Sequence, residues 1–156
     1  MVTLRPFREE DTASLLALFR ETVRQVNSAD YSSEQIRAWA SDQIVLSVWA
    51  RRFEGRLAYV AESGDLPVGF TDMERDGHID RLFVSSQHQR CGIGRMLLAR
   101  LLEDAGQLGL SCMSANVSIT ARPFFEAHQF RVLAEQTVRS RGVDFTNYRM
   151  ERTIGE

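Results

Sequence analysis

Gln89-Arg90-Cys91-Gly92-Ile93-Gly94 is the stretch that decides the fold, since it lies between an apolar strand pattern at 78–84 and an amphipathic helix pattern. Glycine at positions 92 and 94 removes the Cβ atoms that would hold a phosphate away from the backbone. The turn also ends where the free N–H groups and the positive dipole of a helix begin. The stretch therefore predicts an anion-binding turn, although two such glycines also occur in ordinary strand-to-helix turns.

Length and composition favour a single domain spanning residues 1–156 that acts on small molecules. The chain has 156 residues, a net charge of −2 and 44% hydrophobic residues, so bulk charge does not predict a nucleic-acid surface. The two cysteines are too few for a disulfide framework, and the sequence shows neither a basic leader nor an 18-residue apolar run. The three histidines are far apart in sequence, so no metal site is expected. We expect a cytoplasmic protein without membrane or nucleic-acid partners.

Hydrophobic periodicity predicts strands and helices in the order β α α β β β α β α β β. The predicted strands are 3–6, 56–62, 68–75, 78–84, 111–117, 130–138 and 143–152. One predicted helix runs from Asp11 or Thr12 to about Val26, and a second begins after a serine cap at 31–34. Two more run from Met96 to Gly106 or Gly109 and from Arg122-Pro123 to about His128. Residues 44–53 show a further helical spacing, and Asp76-Gly77 predicts a hairpin turn.

Two nucleotide-binding motifs do not fit the glycine turn. A nucleoside-triphosphate loop needs Gly-Lys-Ser or Gly-Lys-Thr to reach the terminal phosphates and magnesium, and neither follows the turn. A dinucleotide-binding fold needs a third glycine, and its glycine turn follows a strand near the N-terminus. In this chain three predicted antiparallel strands come before the turn. Coenzyme A is the remaining nucleotide-tailed ligand.

The residues around the turn resemble the GNAT superfamily of acyl-CoA N-acyltransferases. The family signature is a strand, a short linker and [Gln/Arg]-x-x-Gly-x-[Gly/Ala]; here these are 79–84, 85–88 and 89–94. A second family element, Asn-x-x-Ala-x-x-x-Tyr-Glu followed by Gly-Phe, is similar to 118–126 and Gln129-Phe130. Leu4-Arg5-Pro6 is also typical of the family, so the resemblance covers essentially the whole chain.

The resemblance implies the GNAT fold, of class α/β (α+β), with a mixed, mostly antiparallel twisted sheet of about seven strands and about four helices. It implies acetyl-CoA as the acyl donor. The backbone of 82–84 should splay from the next strand and bind the pantetheine arm, while the N–H groups of 90–95 bind the pyrophosphate. The implied cofactor-binding residues are Leu82, Phe83, Val84, Gln89, Arg90, Cys91, Gly92, Ile93, Gly94, Arg95, Ser118 and Phe125.

Amide formation needs a neutral amine, so a base or a water relay is expected. Strand alternation places His78 and Asp80 on one face together with Val84, and we predict that the histidine acts as base beside the aspartate. Asp72 and Glu74 on the preceding strand are alternatives. The N–H groups near Val84 are expected to stabilise the oxyanion.

Two departures from the family pattern affect the expected chemistry. Phe125 stands where many members have a tyrosine that protonates the thiolate, and Ser118 replaces the usual asparagine. Tyr148 or water can substitute for the tyrosine, and Asn116 for the lost amide. A thiol of pKa about 8.5 is already a fair leaving group, so loss of the tyrosine is survivable.

The acceptor pocket of this family is usually walled by the first two helices, where Tyr31, Trp39 and Trp49 are candidates, with Asp72 on a strand. We predict acetyl transfer to a primary amine of a small molecule or peptide. The alternatives are a non-catalytic coenzyme A sensor, an O-acyltransferase and a thioesterase. The protein is expected to be a monomer or a homodimer, because strand 143–152 can pair internally or exchange with a partner.

Overall fold

A seven-stranded mixed sheet forms the centre of the protein in the computed structural model, which describes residues 1–155. The strands are β1 Val2–Pro6, β2 Leu57–Ser63, β3 Leu66–Met73, β4 His78–Val84, β5 Cys112–Ser118, β6 Arg131–Ser140 and β7 Val143–Thr153. The helices are α1 Thr12–Gln25, α2 Ser33–Trp39, α3 Leu46–Arg51, α4 Ile93–Gln107 and α5 Arg122–Ala127. The predicted fold class is confirmed, with five helices in the described chain because α2 and α3 are separate.

The strand order is β1-β2-β3-β4-β5-β7-β6, and of these neighbours β4 and β5 are parallel. The other neighbouring pairs are antiparallel, and three of them, β2–β3, β3–β4 and β6–β7, are consecutive strands joined by short turns. The β6–β7 hairpin folds back so that β7 pairs with β5 inside the chain.

Strands β4 and β5 stay together for only two residue pairs. His78 pairs with Ser114 and Ile79 with Ala115, after which β4 runs on to Val84 without a partner on that side. The sheet therefore opens beyond Ile79, in the region that includes 82–84, where the family resemblance implies a splayed strand. The opening exposes backbone groups of β4 that a regular sheet would pair.

Two hydrophobic cores lie on opposite faces of the sheet. One packs under α4 and α5, where Leu97, Leu98 and Leu101 are buried. The other packs under α1, α2 and α3, where Phe19 and Trp49 are buried at helical spacings. The open end of β4 lies between these cores, so a ligand there can reach both faces.

A β-bulge in β4 changes which residues share a face. Asp72 pairs with Arg81 while Met73 pairs with Ile79, so Asp80 has no partner on β3. Ile79 therefore packs in the α4 core, together with Leu82 and Val84. The predicted regular alternation along 78–84 is wrong, because it put Ile79 on the face opposite Leu82.

Candidate active site

A cleft of about 1010 Å³ occupies the gap between β4 and β5. On one side it is bounded by the α4 core, including Leu82, Val84 and Ile93. The other side, which we call the aromatic side, consists of Phe19, Tyr31, Trp39, Trp49, Phe83 and Phe145. The cleft thus joins the glycine turn to an aromatic pocket on the other face of the sheet.

The register of β3 and β4 determines which backbone groups face the gap. Ser85 N donates to Val68 O at 2.8 Å, and hydrogen-bonded pairs alternate along an antiparallel ladder. Leu82 and Val84 therefore direct their N–H groups away from β3 and toward the gap. Phe83 pairs with Phe70 through its backbone, so the expectation that all three backbones face the gap is wrong for Phe83.

Side chains hold the end of β4 in place. Val84 O accepts hydrogen bonds from Gln89 Nε2 at 2.7 Å and from Thr22 Oγ1 at 3.2 Å. Glu21 accepts a hydrogen bond from the Ser86 hydroxyl in the following turn. The family resemblance implied a cofactor contact for Gln89, whereas its side chain here joins the glycine turn to β4.

The glycine turn ends at the amino terminus of α4, as predicted. Gly92 has a left-handed φ of 83°, and a Cβ built there would meet nothing within 4 Å. Met96 N donates to Gly92 O at 3.0 Å, so the N–H groups of Ile93, Gly94 and Arg95 precede the first helical hydrogen bond. The backbone at Gly92 is therefore open to a ligand, and the three N–H groups that follow have no acceptor within the helix.

Gly94 serves a different purpose from the one predicted. A Cβ at this position would lie 3.1 Å from Phe124 Cε1 and 3.8 Å from a methyl carbon of Leu82. The absent side chain therefore lets α5 approach α4, and the space that it leaves is filled by an aromatic ring.

Positive charge surrounds the turn. Arg90 and Arg95 are exposed, and neither has a carboxylate within 4.0 Å among residues 1–155. Cys91 is also exposed, with its Sγ 3.5 Å from Gln89 O. The two guanidinium groups are available to an anion at the helix terminus.

The predicted pair of His78 and Asp80 does not form. His78 Nδ1 lies 3.0 Å from Ser114 Oγ, and His78 is not among the residues that line the cleft. Asp80 does line the cleft, but Arg52 and Arg56 bind its carboxylate. The bulge causes the difference, because it removes Asp80 from the regular ladder.

Three arginines and two aspartates form a cluster at the wall of the cleft, here called the arginine cluster: Arg52, Arg56, Arg81, Asp72 and Asp80. Arg81 donates to Asp72 through Nη2 at 2.6 Å and Nε at 3.1 Å. Burial acts to raise the pKa of Asp80, but Arg52 and Arg56 outweigh it, so the pKa lies below its usual value. Asp80 is consequently a weak base.

Asp72 is completely buried behind this wall, with 0% of its surface exposed. Its two oxygens accept hydrogen bonds from Arg81, and Oδ2 also accepts from Arg56 at 2.9 Å. Asp72 was predicted as a substrate contact or an alternative base. That prediction is wrong, because the carboxylate has no access to the cleft.

Tyr31 and Trp39 reach the cleft, as predicted for the acceptor pocket. The Tyr31 hydroxyl donates to Thr146 O at 2.8 Å and accepts from Ile119 N at 2.9 Å. The Trp39 ring packs edge-on against Tyr31, with centroids 5.4 Å apart. Tyr31, in the turn before α2, therefore connects that turn to β7 and to the segment after β5 at the lining of the cleft.

The residues that depart from the family pattern have structural partners. Phe125 is buried against Phe130, with ring centroids 5.0 Å apart, and still borders the cleft. Ser118 Oγ accepts a hydrogen bond from Ala121 N at 3.0 Å before α5. Tyr148 lies under the Arg122 guanidinium at 4.5 Å, outside the cleft lining. The structure therefore does not support Tyr148 as the acid that takes the place of the tyrosine missing at Phe125.

Sequence reasoning missed several residues of the cleft and of the arginine cluster in its wall. Arg52 and Arg56 were not singled out, although the Arg51-Arg52 pair after an aromatic helix was a visible signal. Arg81 interrupts an apolar strand, which indicates a buried ion pair. Thr22 carried no signal, because its partner is a backbone carbonyl on a distant strand.

Residues 1–155 contain neither a metal-binding cluster nor a membrane-spanning helix. No group of three or more histidine, cysteine, aspartate or glutamate side chains is arranged to hold a metal ion in this part of the chain. None of the helices in the same residues combines the length and apolar character needed to cross a membrane.

Comparison with known proteins gives a consistent result. The family model for an acetyltransferase (GNAT) domain matches residues 27–152. The chain is 35% identical to the uncharacterized N-acetyltransferase YafP of Escherichia coli over 149 residues, covering 96% of this chain and 94% of that protein.

Two solved structures are also similar. A GCN5-related N-acetyltransferase from Rhodopseudomonas palustris, described as an aminotransferase, class-II, has a TM-score of 0.94 and 31% identity over 97% of this chain and 95% of its own. The PaiA N-acetyltransferase of Thermoplasma acidophilum, solved with coenzyme A, has a TM-score of 0.77 and 17% identity over 99% of each chain. With the open sheet and the glycine turn, these likenesses show that the chain belongs to the GNAT acetyltransferases, enzymes that use acetyl-CoA as co-substrate.

Proposed function

We propose that this protein transfers an acetyl group from acetyl-CoA to a primary amine of a small molecule or peptide by direct attack. Acetyl-CoA supplies a thioester, whose C–S bond breaks as the amine nitrogen forms a C–N bond, giving an amide and the coenzyme A thiol. The observation that carries the proposal is the gap beyond Ile79, which places unpaired β4 backbone beside the α4 terminus.

The β4 backbone fits the pantetheine arm, which contains amide groups. The backbone N–H groups of Leu82 and Val84 face the gap at alternate positions, as in an edge strand without a hydrogen-bonded neighbour. An extended arm lying in the gap would add to the sheet edge in the manner of an extra strand. The coenzyme A bound to the similarly folded Thermoplasma protein supports this assignment.

The α4 terminus fits the pyrophosphate. The open space in front of Gly92 admits phosphate oxygens, and the N–H groups of Ile93, Gly94 and Arg95 are available to bind them. The side chains of Arg90 and Arg95 add positive charge at the rim of this space. We assign pyrophosphate binding to these groups.

We assign oxyanion stabilisation to the N–H group of Val84. The carbonyl of the same residue is held by Gln89 and Thr22, and the preceding residue, Phe83, pairs with Phe70 on β3, so the backbone on both sides of this N–H group is held before the reaction. A preorganised donor of this kind stabilises the charge that develops on the thioester oxygen.

Proton transfer in this cleft relies on water. Among residues 1–155, Asp80 is the one carboxylate that lines the cleft, and two arginines hold it in its charged form. We therefore assign the proton of the attacking nitrogen to solvent and not to Asp80; His88 and His128 also line the cleft. Phe125 has no proton to donate, so the coenzyme A thiolate takes a proton from water. A thiol has a pKa of about 8.5, so the thiolate is a fair leaving group without an acid.

The proposal is tested by calorimetry with acetyl-CoA and by release of free thiol with a panel of amines. The double variant Arg90→Glu/Arg95→Glu should weaken acetyl-CoA binding at least about tenfold, since charge-assisted hydrogen bonds are lost. Arg75→Glu, an exposed charge reversal in the β3–β4 turn, is the matched control and should bind normally.

Equal acetyl-CoA affinity in the double variant and the control would overturn the assignment of the pyrophosphate site. Thiol release that is independent of added amine would identify a thioesterase instead. Transfer to hydroxyl groups in place of amines would identify an O-acyltransferase.

A further inference from the structure

Two buried N–H donors in the wall of the cleft lack acceptors. Arg81 Nη1 and Trp49 Nε1 have no hydrogen-bond partner among residues 1–155, although both residues are at least 97% buried. Buried donors are rarely left unpaired, because an unmade hydrogen bond costs about 1–3 kcal/mol. Both residues line the cleft, so a ligand bound in the cleft can supply the missing acceptor.

The position of Arg81 explains why one donor remains unpaired. Its guanidinium carbon lies 4.5 Å from the centre of the Trp49 ring and 4.2 Å from that of Phe53. Nε and Nη2 both bind Asp72 along one edge of the planar guanidinium group, which leaves Nη1 away from that edge. Stacking and the ion pair together fix the direction of the remaining donors.

Arg52 adds a second guanidinium at the same wall. Its side chain is 42% exposed, its Nη2 lies 2.8 Å from Asp80, and its guanidinium carbon lies 5.8 Å from the centre of the Trp49 ring. The arginine cluster contains three guanidinium groups and two carboxylates, so it carries one net positive charge. One further carboxylate would balance that charge.

The surroundings of the cluster are apolar. The aromatic side supplies ring faces and edges, with Phe83 packed edge-on or tilted against Phe19, Trp39 and Phe70 at centroid distances of 5.1–6.4 Å. Ile44 and Val48 continue this surface at the mouth of the cleft. A ligand here gains from an aromatic or apolar group placed next to its charge.

We propose that the acceptor is an amine that carries both a carboxylate and an aromatic group, as an aromatic amino acid does. The carboxylate binds at Arg52, Arg81 Nη1 and Trp49 Nε1, and the ring packs against the aromatic side. This inference rests on the proposed function, since it names the class of amine that the same cleft accepts.

Ligand binding provides a test that does not depend on turnover. Both tryptophans of the chain line the aromatic side, so intrinsic fluorescence reports its occupancy. With coenzyme A present, 3-phenylpropionate should bind at least about tenfold more tightly than 3-phenylpropionamide, which lacks the charge. Equal affinities, or no binding of either compound, would overturn the inference.

Arg52→Gln should remove most of this preference, because Arg52 is the exposed guanidinium of the cluster, whereas Asp80 keeps its contact with Arg56. Arg51→Gln, its exposed neighbour on α3, is the matched control and should keep the preference. An unchanged preference in Arg52→Gln would exclude the proposed carboxylate site.

Turnover separates the two proposals. Phenylalanine should have a KM at least about tenfold below that of phenylalaninamide, which retains the amine and the ring. Efficient acetylation of neutral amines without a carboxylate preference would refute the acceptor class and leave the proposed function intact. Carboxylate binding without thiol release from any amine would leave the anion site intact and refute the proposed function.

Discussion

The Nδ1 atom of His78 lies 3.0 Å from the Oγ atom of Ser114, at the first of the two residue pairs that join β4 to β5. This hydrogen bond connects the parallel strands at the closed end of the gap. A histidine in this position fixes the point where the sheet begins to open. The geometry supports a role in holding the strands and gives no direct access to the thioester.

We expect His78→Ala to lower kcat by less than about threefold, well short of the roughly 10²- to 10⁴-fold loss expected for a general base. Stability should fall by about 0.5–1.5 kcal/mol, because one side-chain hydrogen bond is lost. Steady-state kinetics and urea unfolding measure the two effects. A hundredfold loss of kcat with a shifted pH profile would restore His78 as the base.

Asp80→Asn should make the protein less stable at neutral pH, and the difference should depend on pH. The pKa of Asp80 is lowered in the folded protein, so the charged carboxylate stabilises the fold above its ordinary pKa of 3.8. That contribution is lost as the pH falls through the lower, folded pKa. Urea unfolding at pH 7 and pH 3 should therefore show a smaller difference between wild type and variant at pH 3.

A constant difference across that pH range would show that the variant acts through packing instead of charge. In kinetics, Asp80→Asn should leave the pH profile of kcat unchanged near neutrality, because Asp80 is already ionised there. A pH profile that changes near pH 7 would contradict the assignment of Asp80 as a structural ion-pair partner.

Local signals in the sequence were sufficient for most of the fold. Alternation and the Asp76-Gly77 turn predicted β3 and β4, and Gly92 marked the start of α4. The bulge at Asp80 was not predictable, because strand alternation assumes a regular ladder and the bulge depends on pairing with β3. A shift of one residue changed the face assigned to Ile79.

The candidate site was predictable only where its function depends on backbone. The glycine positions predicted the α4 terminus, and the family resemblance implied that the backbone at Leu82 and Val84 faces the gap. The arginine cluster brings α3 together with β3 and β4, and these contacts are determined by tertiary packing. Residues such as Arg52 acquire their partners only when the chain has folded.

Phe125→Tyr tests whether the missing acid limits the reaction. Phe125 is packed edge-on against Phe130, so the new hydroxyl enters a buried site and should cost about 1–3 kcal/mol if it lacks a partner. We expect kcat to rise by less than about threefold, since the thiol is a fair leaving group without an acid. A tenfold rise in kcat would show that protonation of the thiolate is rate-limiting.

Gly94 and Phe124 should be energetically coupled. Alanine favours a helix by about 1 kcal/mol over glycine, but a Cβ at Gly94 would lie 3.1 Å from the Phe124 ring. We expect Gly94→Ala to be neutral or destabilising alone and stabilising in a Phe124→Leu background, with a coupling of at least about 0.5 kcal/mol. Gly106→Ala, in the same helix with nothing within 4 Å of its Cβ, should stabilise both backgrounds equally. Each pair of substitutions forms a double-mutant cycle of four proteins, and urea unfolding of the four measures the coupling. An effect of Gly94→Ala that is the same in both backgrounds would contradict the contact between position 94 and Phe124.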